Sequence, residues 1–135
     1  MENTEVHLCS NCATATPTPE QMQLYEDLIV SALEGGSNYW YFLPDLSMAK
    51  EPKGEPTAIR IFRSAMNGAR IPVEDAEDQH ILGYLTREGI LCAMDKLMKT
   101  STYLYQAANI MDGNWDAISA DVWFQMAVMG EVVYG

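Results

Sequence analysis

Apolar residues recur at helical spacing in several stretches of the chain, and the clearest stretch predicts a helix over residues 19–34. Thr18 stands at its N-cap position, with Gln21 at the capping-box position. Gly35-Gly36 ends the helix, and we expect one of the two glycines at positive φ because a helix that passes into a strand needs a left-handed residue there. The same spacing predicts helices at 87–99 and 104–112, and a last helix that Asp116 or Ser119 caps and Gly130 ends.

Short apolar runs bounded by turn residues predict strands at 39–43, 71–73, 81–85 and 132–134. The acidic turn at 74–78 joins the middle two runs, which therefore predict a hairpin. Pro72 cannot donate a hydrogen bond to a ladder, so its strand is expected at a sheet edge.

Residues 58–67 fit two interpretations. A helix capped by Thr57 is one, and a strand over 58–62 is the other, because Ile59 and Ile61 alternate with Arg60. We favour the helix. The predicted fold class is then α+β, a mostly helical domain of four or five helices with a small sheet of short strands.

The chain has 135 residues, which is the size of one domain. Residues 1–17 are predicted to be a flexible acidic and polar tail, and residues 18–135 a single globular domain. No apolar run approaches the length of a membrane span, and the N-terminus lacks a signal-peptide pattern. An intracellular location is therefore the expectation.

The formal net charge is −11, and all eight Lys and Arg residues lie between positions 50 and 99. Both ends of the chain are purely acidic. This charge argues against direct nucleic-acid binding and against binding to anionic membranes. It is compatible with an interaction surface, although a solvated acidic surface that keeps the protein soluble is the favoured interpretation.

Three cysteines, an odd number, and no secretory signal predict reduced thiols. His7, Cys9 and Cys12 have the spacing of one edge of a zinc site. A structural zinc site needs a second pair of ligands, for which the sequence offers only His80 and Cys92, separate from each other, so a polar tail is favoured at residues 7–12. No cofactor is expected.

The remaining candidate residues fall into two groups. Arg60 and Arg63 are neighbours on a helix face and, with Arg70, could clamp a nucleotide-like anion unless local acids pair with them. Tyr39 and Trp40 beside the double glycine suit either a flat ligand or the core, and the core is favoured.

Asp121 and Gln125 lie four apart, hence on one face of the last helix, and could meet polar groups of residues 34–40, the Gly-Gly corner. We expect Trp40 to lie against that helix near residues 121–125. Glu34, Asp121 and Glu131, or the acidic turn at 74–78, could also hold Mg²⁺ in a hydrolase, but the standard catalytic motifs are absent and this interpretation is disfavoured.

Two sequence motifs resemble those of a family of small uncharacterised tailed-phage and prophage proteins. Residues 33–40 are similar to its Glu-Gly-Gly-x-x-Tyr-Trp string, and residues 119–135 to its closing Ala-Asp-x-x-x-Gln-x-x-x-x-Gly-Glu-Val-Val-Tyr-Gly string. Residues 71–86 resemble a Bacteroidales-type variant. The resemblance implies a mobile-element gene expressed in the cytoplasm of a bacterial host.

These observations favour a small acidic non-enzymatic protein that acts by interaction with a host protein, for example in counter-defence. Such an acidic surface could imitate nucleic acid and occupy a basic cleft of the host protein. A protein that binds a nucleotide-like small molecule is the alternative, and assembly with a second copy of the chain stays open. The candidate binding residues are Glu34, Tyr39, Trp40, Arg60, Arg63, Asp121, Gln125 and Glu131.

Overall fold

The computed structural model describes residues 12–50 and 52–135. Its elements are α1 (Pro19–Ser31), a π-helical turn (Ala32–Gly36), β1 (Tyr41–Phe42), α2 (Thr57–Met66), β2 (Ile71–Asp75), β3 (Ile81–Leu85), α3 (Arg87–Met98), a 3-10 turn (Ser101–Tyr103), α4 (Leu104–Asp112) and α5 (Ala117–Met129). The predicted fold class, α+β and mostly helical with a small sheet of short strands, is confirmed.

Helix α5 is the centre of the core. Every residue from Ser119 to Val128 is buried, and α1, α3, α4, β3 and the π-helical turn all pack against this helix. A helix that is apolar nearly all round is stable only when other elements cover every face. The two polar side chains within this buried stretch that carry a carboxylate or an amide, Asp121 and Gln125, therefore need partners from those neighbours.

The sheet has the order β1-β2-β3 and is antiparallel throughout. The predicted hairpin of β2 and β3 is confirmed, but the expectation that the first of these strands lies at an edge is wrong, since β2 is central. Pro72 is tolerated there because β1 pairs only with Glu74 and Asp75, which leaves the proline outside that ladder. The predicted strand at 132–134 does not join the described sheet.

Local sequence signals predict most of the helix ends correctly. Thr18 caps α1 with the full capping box, and Asp116 rather than Ser119 caps α5. Residues 57–66 are helical, so the strand interpretation of 58–62 is wrong. Thr57 lies inside this helix, and Pro56 occupies its N-cap position without a side-chain hydrogen bond.

The Gly-Gly corner turns by a different device from the expected one. Neither Gly35 nor Gly36 has positive φ, so that prediction is wrong. The helix instead widens into the π-helical turn, in which the N–H of Ser37 donates to the carbonyl of Ala32 at 2.8 Å. Gly36 is needed for another reason, because a Cβ atom there would lie 2.8 Å from the carbonyl oxygen of Ala117.

Gly36→Ala is expected to lower the free energy of unfolding by about 1–3 kcal/mol, because the added methyl group pushes the corner away from the start of α5. Gly35→Ala is the matched control, since a Cβ at Gly35 meets nothing within 4 Å. Urea unfolding of both variants measures the difference. Equal stabilities for the two variants would contradict a close approach at Gly36 alone.

The first described residues are tied to the core by a disulfide between Cys12 and Cys92, which are 80 positions apart. The prediction of reduced thiols is therefore wrong for this pair. The guanidinium group of Arg87 also donates to the carbonyl of Ala15 at 3.3 Å. His7 and Cys9, the other two candidate zinc ligands, lie outside the described residues.

Candidate functional site

The carboxylate of Asp121, on α5, is where the candidate residues converge. Its Oδ1 accepts hydrogen bonds from the Ser37 hydroxyl at 2.7 Å and from the Trp40 indole N–H at 2.8 Å. Its Oδ2 accepts from the Tyr39 hydroxyl at 2.6 Å and from the Gln125 amide at 3.2 Å. The predicted contact between the Gly-Gly corner and α5 is thus confirmed. Four donors use the acceptor capacity of a carboxylate.

The π-helical turn is what brings these donors over α5. By ending α1 with one wider turn, it directs Ser37 into the core, and the N–H of Trp40 then closes a tight turn on the Ser37 carbonyl at 3.1 Å. Trp40 is buried and packs against Phe124 of α5, with ring centroids 5.6 Å apart. The corner therefore presents hydroxyl and indole donors to one buried acceptor.

Gln125 holds the C-terminal segment against the same centre. Its Oε1 accepts from the backbone N–H groups of Val133 and Tyr134, both at 2.9 Å, and its Nε2 donates to the Tyr134 carbonyl at 3.1 Å. The Tyr134 ring stacks on Trp40 at 5.3 Å between centroids. This side-chain clamp takes the place of the strand that the sequence predicts at 132–134.

Two tyrosine hydroxyls are fixed as donors by carboxylates. Burial and the hydrogen bond to Asp121 raise the pKa of Tyr39 to about 12. The Tyr134 hydroxyl donates to Asp75 at 2.6 Å; this bond, together with burial, raises the pKa of Tyr134 to about 12. The same hydroxyl and two backbone N–H groups lower the pKa of Asp75 to about 2. Neither tyrosine is a proton acceptor near neutral pH.

Tyr134→Phe is expected to flatten the pH dependence of stability in acid. The pKa of Asp75 lies below its ordinary value of 3.8, so its ionised form stabilises the fold above about pH 4, and this contribution is lost as the pH falls towards 2. Without the Tyr134 hydroxyl the pKa should rise and the loss should shrink. Urea midpoints between pH 4 and 2 measure it, with Tyr105→Phe, at an exposed position, as control. Parallel curves for the wild type and the Tyr134 variant would contradict the assignment.

The basic candidates have separate partners. Arg63 pairs with Glu26 at 3.4 Å, and Arg70 lies over the Tyr84 ring at 4.5 Å. Arg60 donates to the Thr57 hydroxyl, while its Nε is buried without a partner among the described residues.

The acidic candidates are also dispersed. Glu34 and Glu131 are exposed, whereas Asp121 is buried. Within residues 12–50 and 52–135, no three His, Cys, Asp or Glu side chains are grouped as metal ligands. The hydrolase trio of Glu34, Asp121 and Glu131 is therefore not assembled, and Cys12 is committed to its disulfide.

Sequence reasoning missed two surface cavities beside the corner. The first, the apolar groove, has a volume of about 490 Å³ and is lined by Leu33, Glu34, Asn38, Tyr41, Phe42, Leu43, Leu46, Thr57, Ala58 and Ile61. The second, of about 560 Å³, lies between the π-helical turn, the start of α5 and the C-terminal segment. The run of apolar residues interrupted by Pro44-Asp45 was the only sequence signal for the first.

Comparison of the chain with protein-family models, with curated proteins and with solved structures finds no match. Within the part of the chain that the structure describes, no helix has both the length and the apolar character needed to cross a bilayer.

Proposed function

We propose that the protein is a small acidic non-enzymatic phage or prophage protein that acts by binding a host protein, with counter-defence as one process it would serve. The observation that carries the proposal is a cluster of exposed apolar side chains. Phe42, Leu46 and Met48 lie within seven residues and expose 47%, 41% and 43% of their surfaces. Grouped large apolar side chains at a surface are typical of protein-binding sites.

The use of Asp121 supports a non-enzymatic role. A catalytic carboxylate needs a free lone pair that faces a substrate, a proton or a metal ion. Four donors of this chain occupy the lone pairs of Asp121, and the residue is 7% exposed. Its hydrogen bonds account for its burial as a structural centre of the fold.

Affinity capture tests the proposal. The tagged protein, immobilised and exposed to lysate of a bacterial host, should retain a host protein that excess untagged protein displaces. The isolated tag on the same resin is the control. Retention of the same proteins by the tag, or no displacement by the competitor, would contradict the proposal.

A second candidate function is the binding of a nucleotide-like anion, which the buried, unpartnered Nε of Arg60 favours. A buried N–H without an acceptor is costly, and an anion would satisfy it. When each nucleotide of a panel is titrated against the protein, one that binds should raise the protein's melting temperature by several degrees once its concentration reaches about 100 times its dissociation constant. Arg60→Gln should abolish the shift. A shift that survives in this variant would place the ligand elsewhere.

The host cytoplasm is the compartment we propose, in line with the phage resemblance. A structural disulfide is uncommon in a reducing cytoplasm, so the oxidation state of Cys12 and Cys92 in cells tests this part of the proposal. Thiol trapping in intact host cells should find a reduced fraction of the pair. Complete oxidation in cells would instead favour an oxidising compartment.

A further inference from the structure

We propose that the apolar groove binds an extended peptide segment of a partner protein in which apolar side chains alternate with Lys or Arg. The inference rests on the proposed function, because it names the surface and the chemistry through which a partner protein would be bound. Three features carry it: the edge position of β1, the apolar lining of the groove, and the sign of the charge beside it.

Strand β1 forms one edge of the sheet, since β2 pairs with it on one side only in the described order β1-β2-β3. Tyr41, Phe42 and the following Leu43 all line the groove. Neighbouring residues of a strand point to opposite faces, so a groove lined by consecutive residues runs along the edge. An edge strand presents backbone N–H and C=O groups that an added extended segment can pair with.

The groove lining is mostly apolar, with side chains from the π-helical turn, from β1 and from the start of α2. Among the lining residues, Phe42 and Leu46 are about half exposed, while Ile61 is fully buried. A cavity of about 490 Å³ is large enough for one or two apolar side chains of a peptide. Burying a Val or Phe side chain there would contribute most of the affinity.

The charge on the β1 side of the groove favours a cationic peptide, while on the α2 side Arg60 donates to the lining residue Thr57. Glu34 is the charged residue of the lining, and its carboxylate lies close enough to Tyr41 to reinforce the effect of burial in raising the pKa of that tyrosine. Residues 31–49, which supply most of the lining, contain Glu34 and Asp45 and no Lys or Arg. A Lys or Arg next to an apolar anchor would therefore pair with Glu34, and the net charge of −11 would speed the encounter.

Fluorescence anisotropy with three labelled eight-residue peptides tests the proposal. The probe alternates Lys with Val and Phe; the second peptide has Glu in place of Lys, and the third has Ser in place of the apolar residues. The first should bind at least tenfold more tightly than either of the others. No saturable binding of the first peptide, or equal binding of the first and the third, overturns the proposal.

Variants locate the binding. Leu46→Asp should weaken the Lys-containing peptide about tenfold and Glu34→Gln about threefold, with melting temperatures unchanged because both side chains are exposed. Met111→Asp is the matched control: it replaces an exposed apolar residue with the same added charge, on α4 and away from the groove lining. Equal affinities for Leu46→Asp and Met111→Asp would show that charge alone attracts the peptide, which overturns the proposal.

The same variants separate failure of this inference from failure of the proposed function. If wild type and Leu46→Asp retain the same host protein from lysate, the binding function stands and the groove is not its site. If Leu46→Asp loses the host protein while no Lys-containing peptide binds, the groove is used but the peptide chemistry is overturned. If the wild type retains nothing specifically, the proposed function itself fails.

Discussion

Asp121→Ala is expected to lower the free energy of unfolding by about 3–5 kcal/mol, one of the two largest effects that the structure predicts. The substitution removes the acceptor of four hydrogen bonds and leaves donors of Ser37, Trp40 and Gln125 inside the core. Each buried donor without a partner costs about 1–3 kcal/mol, partly relieved where water enters the space left by the carboxylate. Tyr39 is half exposed, so its hydroxyl can turn to water at little cost.

Urea unfolding followed by tryptophan fluorescence measures this loss. Asp112→Ala is the control, because it removes the same charge from an exposed position at the end of α4. The loss of unfolding free energy in Asp121→Asn should lie between those of Asp121→Ala and Asp112→Ala, since the amide keeps the size of the side chain and one acceptor oxygen. A loss below about 1 kcal/mol for Asp121→Ala, together with loss of partner binding, would instead assign the carboxylate to a ligand.

Local signals in the sequence predict the ends of several elements because the physical cause lies within a few residues. Thr18 and Gln21 cap α1 through each other, and Asp116 caps α5 through Ser119, all within four positions. The β2–β3 hairpin follows from the acidic turn between two apolar runs. Thr57 fails as a cap because the helix begins at Thr57 itself, one residue earlier than predicted, with Pro56 at the N-cap position.

The meeting of the Gly-Gly corner with α5 could also be predicted, because buried polar residues four apart must find partners. The identity of those partners could not. Ser37 and Trp40 share Oδ1 of Asp121 because the wider π-helical turn brings both over α5. Within that turn Gly36 closely approaches Ala117, which lies 81 positions further along the chain. A contact between residues so far apart in the chain leaves no local sequence pattern that could predict it.

The clamp formed by Gln125 shows the same limit. A run of Val-Val-Tyr has the composition of a strand, and sequence alone assigns it to a sheet. In the structure the amide side chain of Gln125 supplies the donor and the acceptor, the latter used twice, that a neighbouring strand would have supplied. Strand propensity describes a side chain's fit to an extended backbone and leaves the source of the hydrogen bonds open.

The apolar groove escaped sequence analysis for a related reason. Phe42 and Leu46 are residue types typical of a core, but their exposure depends on which elements pack against them in the fold. Strand β1 contributes only Tyr41 and Phe42 to the sheet, and among the described strands none pairs with its other edge. The surface that the proposed function uses is thus a product of tertiary packing.

Loss of the bond between Cys12 and Cys92 is the second of the two large effects. The bond closes a loop of 80 positions, and the chain-entropy model gives about 4.5 kcal/mol for a loop of this length, while measured values are typically about 2–4 kcal/mol. Reduction of the wild type, or Cys12→Ser, should therefore lower the melting temperature by about 10 °C. The residues around Ala15, to whose carbonyl Arg87 donates, should also become more accessible to proteases, since the covalent link to α3 is then lost.

Differential scanning calorimetry with and without a phosphine reductant measures the effect, and peptide mapping of the alkylated protein checks which cysteines are bonded. Cys9→Ser is the control, because it removes the third thiol and leaves the bonded pair intact; its melting temperature should match the wild type in both conditions. The reductant should have no effect on Cys12→Ser. Equal melting temperatures for the oxidised and reduced wild type, with the bond shown to be present and then absent, would mean that the segment from Cys12 adds nothing to the stability of the core.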